Sequence, residues 1–142
     1  MPANAYDTYL EATVLSADPV ELVRILYRTA IDCVHDARGY LAAGDVAARV
    51  RAVNKAWGAI RELSFCLNHE AQPDLARQLA ELYDFVQRRL LAANFEQTDA
   101  PLAEVAGVLE NLSAAWNKVE AGSPTWTPDY SADYTELAGA EA

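Results

Sequence analysis

Nowhere in this 142-residue chain do some 18 apolar residues stand together, and no charged opening followed by an apolar run marks the amino end. The sequence therefore predicts neither a membrane span nor a secretion signal. No run of Val, Ile, Thr and aromatic residues alternates with period two, so no strand is expected. Basic residues are scarce: 11 Lys and Arg stand against 21 Asp and Glu, a formal charge of −10 that excludes nucleic acid or an anionic membrane surface as partner. The two cysteines, Cys33 and Cys66, sit inside helical patterns without metal spacing, so buried reduced thiols are expected, as suits a cytoplasmic protein. The two histidines, His35 and His69, each lack a Glu three residues before them, which removes the Glu-x-x-His pairs of bundle di-metal sites and leaves two surface histidines. A glycine-rich phosphate loop, a G-x-S-x-G elbow and a Cys/His nucleophile arrangement are absent from the sequence. An enzyme, a metal site and a cofactor are not expected.

What is present is helix. Six Pro and six Gly gather at a few points and leave long stretches rich in Ala, Leu, Val, Glu and Arg. Asp18-Pro19-Val20-Glu21 reads as a start: Asp18 caps, Pro19 takes the first turn, and Glu21 reaches back in a capping box. That helix runs to about Ala43, where Gly44 suits the left-handed position after a helix and Asp45 caps the next. The second continues to about Leu67, followed by a polar loop from Asn68 to Gln72. A third opens at Pro73 and runs to about Ala93, with Asn94 as its stop. A fourth starts from Thr98 or Asp99 before Pro101 and ends near Glu120, before Gly122.

Each segment carries an apolar row at steps of three and four. The first has Val20, Val23, Tyr27, Ala30, Val34, Ala37 and Leu41; the second has Val46, Val50, Val53, Trp57, Ile60, Ser64 and Leu67. The third has Leu75, Leu79, Leu82, Val86, Leu90 and Ala93, with Phe85 alongside, and the fourth Leu102, Val105, Leu109, Leu112, Trp116 and Val119. Four such rows joined by short connections predict an all-α, antiparallel up-down-up-down four-helix bundle over residues 18–121. Arg49, Arg51, Lys55 and Arg61 concentrate on the second helix; they form a site for an acidic segment or, more simply, are solvated or pair with Asp32, Asp36, Glu104 and Glu110.

Leu22 and Ile25 fall off the first helix's row, so that helix is apolar around more of its circumference than one bundle face needs. Residues 1–17 supply Tyr6, Tyr9, Leu10, Val14 and Leu15, enough for a short amphipathic helix or an extended strap over that side. Tyrosine suits such a position, since its ring packs while its hydroxyl stays wet. The strap either completes the core as a small cap or forms, with a groove, a site for another amphipathic helix.

The sequence resembles the flagellar export chaperone family FliS over roughly Asn4 to Glu120. The resemblance rests on NAYDTYLEATVLSADPVEL at the start, on ILYRTAI from Ile25 to Ile31, on LYDFVQRRLLAAN from Leu82 to Asn94, and on Trp116. It departs at Arg28-Thr29, where the family pattern has Asp-Gly, reversing a charge and restoring a side chain. The resemblance implies a non-catalytic protein that binds the disordered carboxyl-terminal segment of flagellin in the cytosol, keeps it from polymerising early, and delivers it to the export gate of the flagellar type III apparatus. It carries Tyr6, Tyr9, Leu22, Ile25, Tyr27, Tyr83 and Arg88 over as candidates near the cargo groove. Tyr27 fits the core row equally well, and Arg88 has Asp84 in reach for an ion pair. The other reading is a structural bundle that pairs with a second copy; the expected state is a monomer or a weak homodimer.

Residues 122–142 contain no basic residue, four acids, and the aromatics Trp126, Tyr130 and Tyr134 among Ser, Thr and Pro, a composition that reads as a disordered tail with short anchors. The expectation is that Trp126 to Leu137 folds back onto the apolar groove and competes with cargo. A contact with another secretion component and a passive tail are the alternatives.

Overall fold

The structure is a computed structural model, and it describes residues 19–118. Four helices follow one another: α1 (Pro19–Ala43), α2 (Val46–Phe65), α3 (Pro73–Glu96) and α4 (Ala100–Trp116), with no strand among the described residues. The expected strap at 1–17, its tyrosines, the Asp18 cap, Val119 and the tail at 122–142 lie outside them.

The breaks fall where backbone chemistry puts them. Gly44 takes φ +73°, the left-handed conformation that costs glycine nothing, and Asp45 then accepts a hydrogen bond from the Ala48 amide at 3.2 Å. One two-residue joint thus ends α1 and caps α2. Pro73 and Pro101 stand in the first turns of α3 and α4, where a missing N–H leaves no bond unmade. The expected stop at Asn94 is corrected: α3 runs on to Glu96, and Gln97 adopts the left-handed conformation at φ 56°. Asn94 is engaged elsewhere. Its side-chain oxygen accepts from Arg49 Nε at 3.3 Å and its carbonyl from Arg49 Nη2 at 3.4 Å.

α1 packs against α2 and α4, and α3 packs against the same two, so α1 and α3 oppose each other across the bundle. The direction of packing follows from the bonds. Along α1, Arg24, His35 and Arg38 meet Trp116, Glu110 and Asp99, so residue numbers rise on one helix as they fall on the other. Arg49 with Asn94, and Trp57 with Gln87, set α2 antiparallel to α3 in the same way. The Arg38–Asp99 pair, with contacts at 2.8 and 2.9 Å, ties α1 to the start of α4, and the guanidinium holds the Asp99 carboxyl below its usual range.

The core runs from Leu22 to Trp116 and takes the expected rows of α1 and α4 almost intact. On α2 the expected row is corrected. Val46 is 51% exposed, and Val50, Trp57 and Ser64 are half-buried, because the inward line is Arg49, Val53, Ala56, Ile60 and Leu63. On α3 the inward line is Ala76, Leu79, Tyr83, Val86, Leu90 and Ala93, with Leu75 and Phe85 outside it. At the centre the hydroxyls of Tyr27 and Tyr83 share a hydrogen bond of 2.5 Å, and the Trp116 ring lies 6.4 Å from that of Tyr27. Burial pushes the Tyr27 hydroxyl up to about 12. Cys33 and Cys66 are buried and form no disulfide, and burial raises the Cys33 thiol to about 11.

Candidate functional site

The described part of the molecule offers no metal cluster and no helix long and apolar enough to cross a membrane. What it offers is apolar surface, and that surface lies on the two flanks of α3.

The flanks can be assigned from the cross-helix bonds. Gln87 donates to the Trp57 carbonyl and so marks the α2 side, while Arg89 pairs with Glu104 and marks the α4 side. Side chains three, four or seven residues apart on a helix share a face. Leu91 and Phe95 stand four and eight residues beyond Gln87, and on α2 Val46, Val50, Arg61 and Phe65 stand in register with Trp57. This α2/α3 flank is open to solvent: Leu91 is 51% and Phe95 91% exposed. Arg61 lies over the Phe65 ring at 5.3 Å, a cation–π contact inside the same row. On the other side Phe85, Leu82 and Leu75 share Arg89's face, and Val108 and Leu112 share Glu104's, so the α3/α4 flank carries a second apolar strip. Such groupings on a small bundle are what a partner helix would cover.

The residues singled out from the sequence are spread between core and surface. Leu22, Tyr27 and Tyr83 are buried within the core, with at most 2% of their surface exposed. Ile25 is half-buried on the outer side of α1. Arg88 is exposed and pairs with Asp84 one turn before it. Tyr6 and Tyr9 lie outside the described residues, as do Trp126, Tyr130 and Tyr134. Sequence reasoning missed Leu91, Phe95 and Val46 as exposed apolar residues. The available signal was the run LYDFVQRRLLAANF, in which apolar residues exceed what one inward line consumes.

Helix α1 has a different outer side. Thr29, Asp32, Cys33, Asp36 and Tyr40 line a cleft of about 480 Å³ against Ala48, Arg51, Ala52 and Lys55 of α2. Asp32 and Asp36 line this cleft together with Arg51 and Lys55, while Glu104 and Glu110 pair with Arg89 and His35. Arg49, expected at the surface, is buried. Thr29 is 3% exposed, and its hydroxyl donates to the Ile25 carbonyl at 2.7 Å.

The described residues form a small four-helix bundle whose exposed large apolar side chains gather along the flanks of one helix, α3. The chain is also matched over residues 2–123 by the model of a family described as flagellar protein FliS. It is 37% identical over 111 residues to the flagellar secretion chaperone FliS of Salmonella typhimurium, covering 78% of this chain and 82% of that one. To the flagellar secretion chaperone FliS of Bacillus subtilis it is 30% identical over 115 residues, 81% of this chain and 85% of the relative. The chain belongs to the FliS family.

Proposed function

We propose that this protein is a cytoplasmic secretion chaperone that binds the carboxyl-terminal segment of flagellin, holds it from premature polymerisation and delivers it to the flagellar export apparatus. The observation that carries the reading is the pair of apolar strips on α3, centred on Phe85 on one side and on Leu91 and Phe95 on the other, in a member of a family whose relatives bear the name of secretion chaperone. A disordered segment that becomes helical on binding loses about 1–2 kcal/mol of backbone entropy per residue fixed. Long apolar strips offset that loss: ~1,000 Å² of apolar burial supplies on the order of 25 kcal/mol gross, most of it consumed by ordering and lost rigid-body freedom. The net is a tight, releasable complex that needs no nucleotide.

Within this reading Ile25 and Arg88 contact cargo at the surface, and Tyr6 and Tyr9 act from the leader. Leu22, Tyr27 and Tyr83 hold α1 and α3 at the spacing the cargo meets. Calorimetric titration of the full chain with a peptide from the carboxyl-terminal end of the same organism's flagellin tests this. Saturable binding that Leu91→Asp with Phe95→Asp removes is the expected result; no binding by the unaltered protein overturns it.

A further inference from the structure

The eleven Lys and Arg residues all lie between residues 19 and 118, together with thirteen Asp and Glu, while the residues outside that range hold eight acids and no base. The bundle is therefore almost neutral and its extensions are strongly acidic. On the α2/α3 flank, Arg61, Arg77 and Arg88 border the apolar row. Arg77 and Arg88 lie in helical register with Leu91 and Phe95 on α3, and Arg61 with Trp57 on α2. Among the described residues, Arg77 and Arg88 pair only with exposed acids of their own helix, and Arg61 makes no ion pair.

The segment after α4 carries the complement. Thr127-Pro128 is a cap followed by a first-turn proline, and Gly139 is a stop, so Pro128 to Ala138 has the punctuation of a short helix. Inside it, Tyr130, Tyr134 and Leu137 recur at steps of four and three, and Asp129, Asp133 and Glu136 form a parallel row one position earlier. One face is aromatic and the line beside it is acidic. Alone, a helix this short is marginal in water and needs a surface to lie on. Reach permits it. α4 ends beside Arg24 and Tyr27, and Tyr27 in turn meets Tyr83 near the middle of α3. Residues 119–125 can extend ~23 Å from there, while the helix itself would measure ~16 Å.

We propose that residues 126–137 dock as a helix in the α2/α3 flank, with Tyr130, Tyr134 and Leu137 on the row of Trp57, Phe65 and Leu91 and Asp129, Asp133 and Glu136 beside Arg61, Arg77 and Arg88, as a built-in substitute that cargo must displace. The docking stands on charge and periodicity alone; the competition rests on the function proposed above. Displacement lowers the apparent affinity for cargo by the fraction of molecules with the flank occupied, so a loosened tail raises it.

The test compares the full chain with its Tyr130→Ala/Tyr134→Ala variant, whose core, from Leu22 to Trp116, is untouched. Amide chemical shifts are recorded for both, and both are titrated with the flagellin peptide. Expected are shift changes concentrated at Trp57, Arg61, Leu91 and Phe95, independent of protein concentration and reproduced by Arg61→Glu, with peptide affinity in the tyrosine variant higher by about fivefold or more. Unchanged shifts on the α2/α3 flank overturn the proposal whatever the peptide does. Changes at the α1/α2 cleft instead, or changes that grow with concentration, overturn it too, in favour of another site or a second copy. If the shifts change as expected and neither protein binds the peptide, the docked tail stands and flagellin binding falls.

Discussion

Helices α1 and α3 look alike in the sequence, since each carries more apolar residues than one inward line can use, yet their surpluses meet opposite fates. On α1, Leu22 and Leu26 are drawn into the core, leaving Ile25 half out. On α3, Phe85, Leu91 and Phe95 stay in solvent. The difference lies in the neighbours. α1 packs most extensively, chiefly against α2 with its inward Ala48, Ala56 and Ala59, whose short side chains admit a broad face of α1. α3 meets α2 and α4 along narrower contacts and keeps both flanks open. Surplus hydrophobicity on a helix is therefore not a binding site until its neighbours have declined to cover it.

That contrast can be broken by substitution, and the largest effect belongs to α1. Leu22→Ala should cost about 2–5 kcal/mol of unfolding free energy in denaturant titration, the range for truncating a filled core position. If it costs as little as a surface change, the absorption of α1's surplus is wrong. Next is alkaline pH. Tyr27 is held at about 12 in the fold against 10 in the unfolded chain, so its neutral form stabilises the fold fully below pH 10 and that contribution disappears as pH rises through 12. Two pKa units correspond to roughly 2–3 kcal/mol. Thermal melts between pH 9 and 12 should fall more steeply for the unaltered protein than for Tyr27→Phe. Tyr83→Phe should cost ~1–2 kcal/mol, because it removes one of the two hydroxyls that serve each other in the core. Smallest in stability is Phe95→Ser, within ~0.5 kcal/mol as an exposed change. Its effect should appear in binding instead, as a loss of about tenfold or more in flagellin-peptide affinity. Equal affinity with and without Phe95 would take the α2/α3 flank out of the cargo site.

The ends of the helices were legible wherever the backbone itself makes the demand. Proline in a first turn, glycine at positive φ and aspartate as a cap act through local geometry, so Pro19, Gly44, Asp45, Pro73 and Pro101 marked their boundaries. Asn94 misled because its propensity to end a helix was overridden by a distant partner: the buried Arg49 takes both its side-chain oxygen and its carbonyl. The inward face of α2 was misread for a related reason. Val46, Val50 and Trp57 weigh heavily in an apolar count, whereas the true line has Arg49 at one end and Ala56 in its middle, a charged residue and a small one that such counts undervalue. Of the site, Arg88 was correctly expected to have Asp84 within reach, but the openness of the α3 flanks depends on how closely α2 and α4 approach, which no single helix encodes.

The hydroxyl bond between Tyr27 and Tyr83 joins α1 to α3, a pair that lies diagonally across the bundle and not side by side. Four rods held only to their neighbours form a frame that can shear; a diagonal tie triangulates it. Sliding α3 along the bundle would have to break a hydrogen bond between two buried side chains. The α3 residues of both strips are thereby kept at a fixed offset from α1. A guest that lies across them receives a template of set pitch, and the whole adjustment of shape falls to the guest.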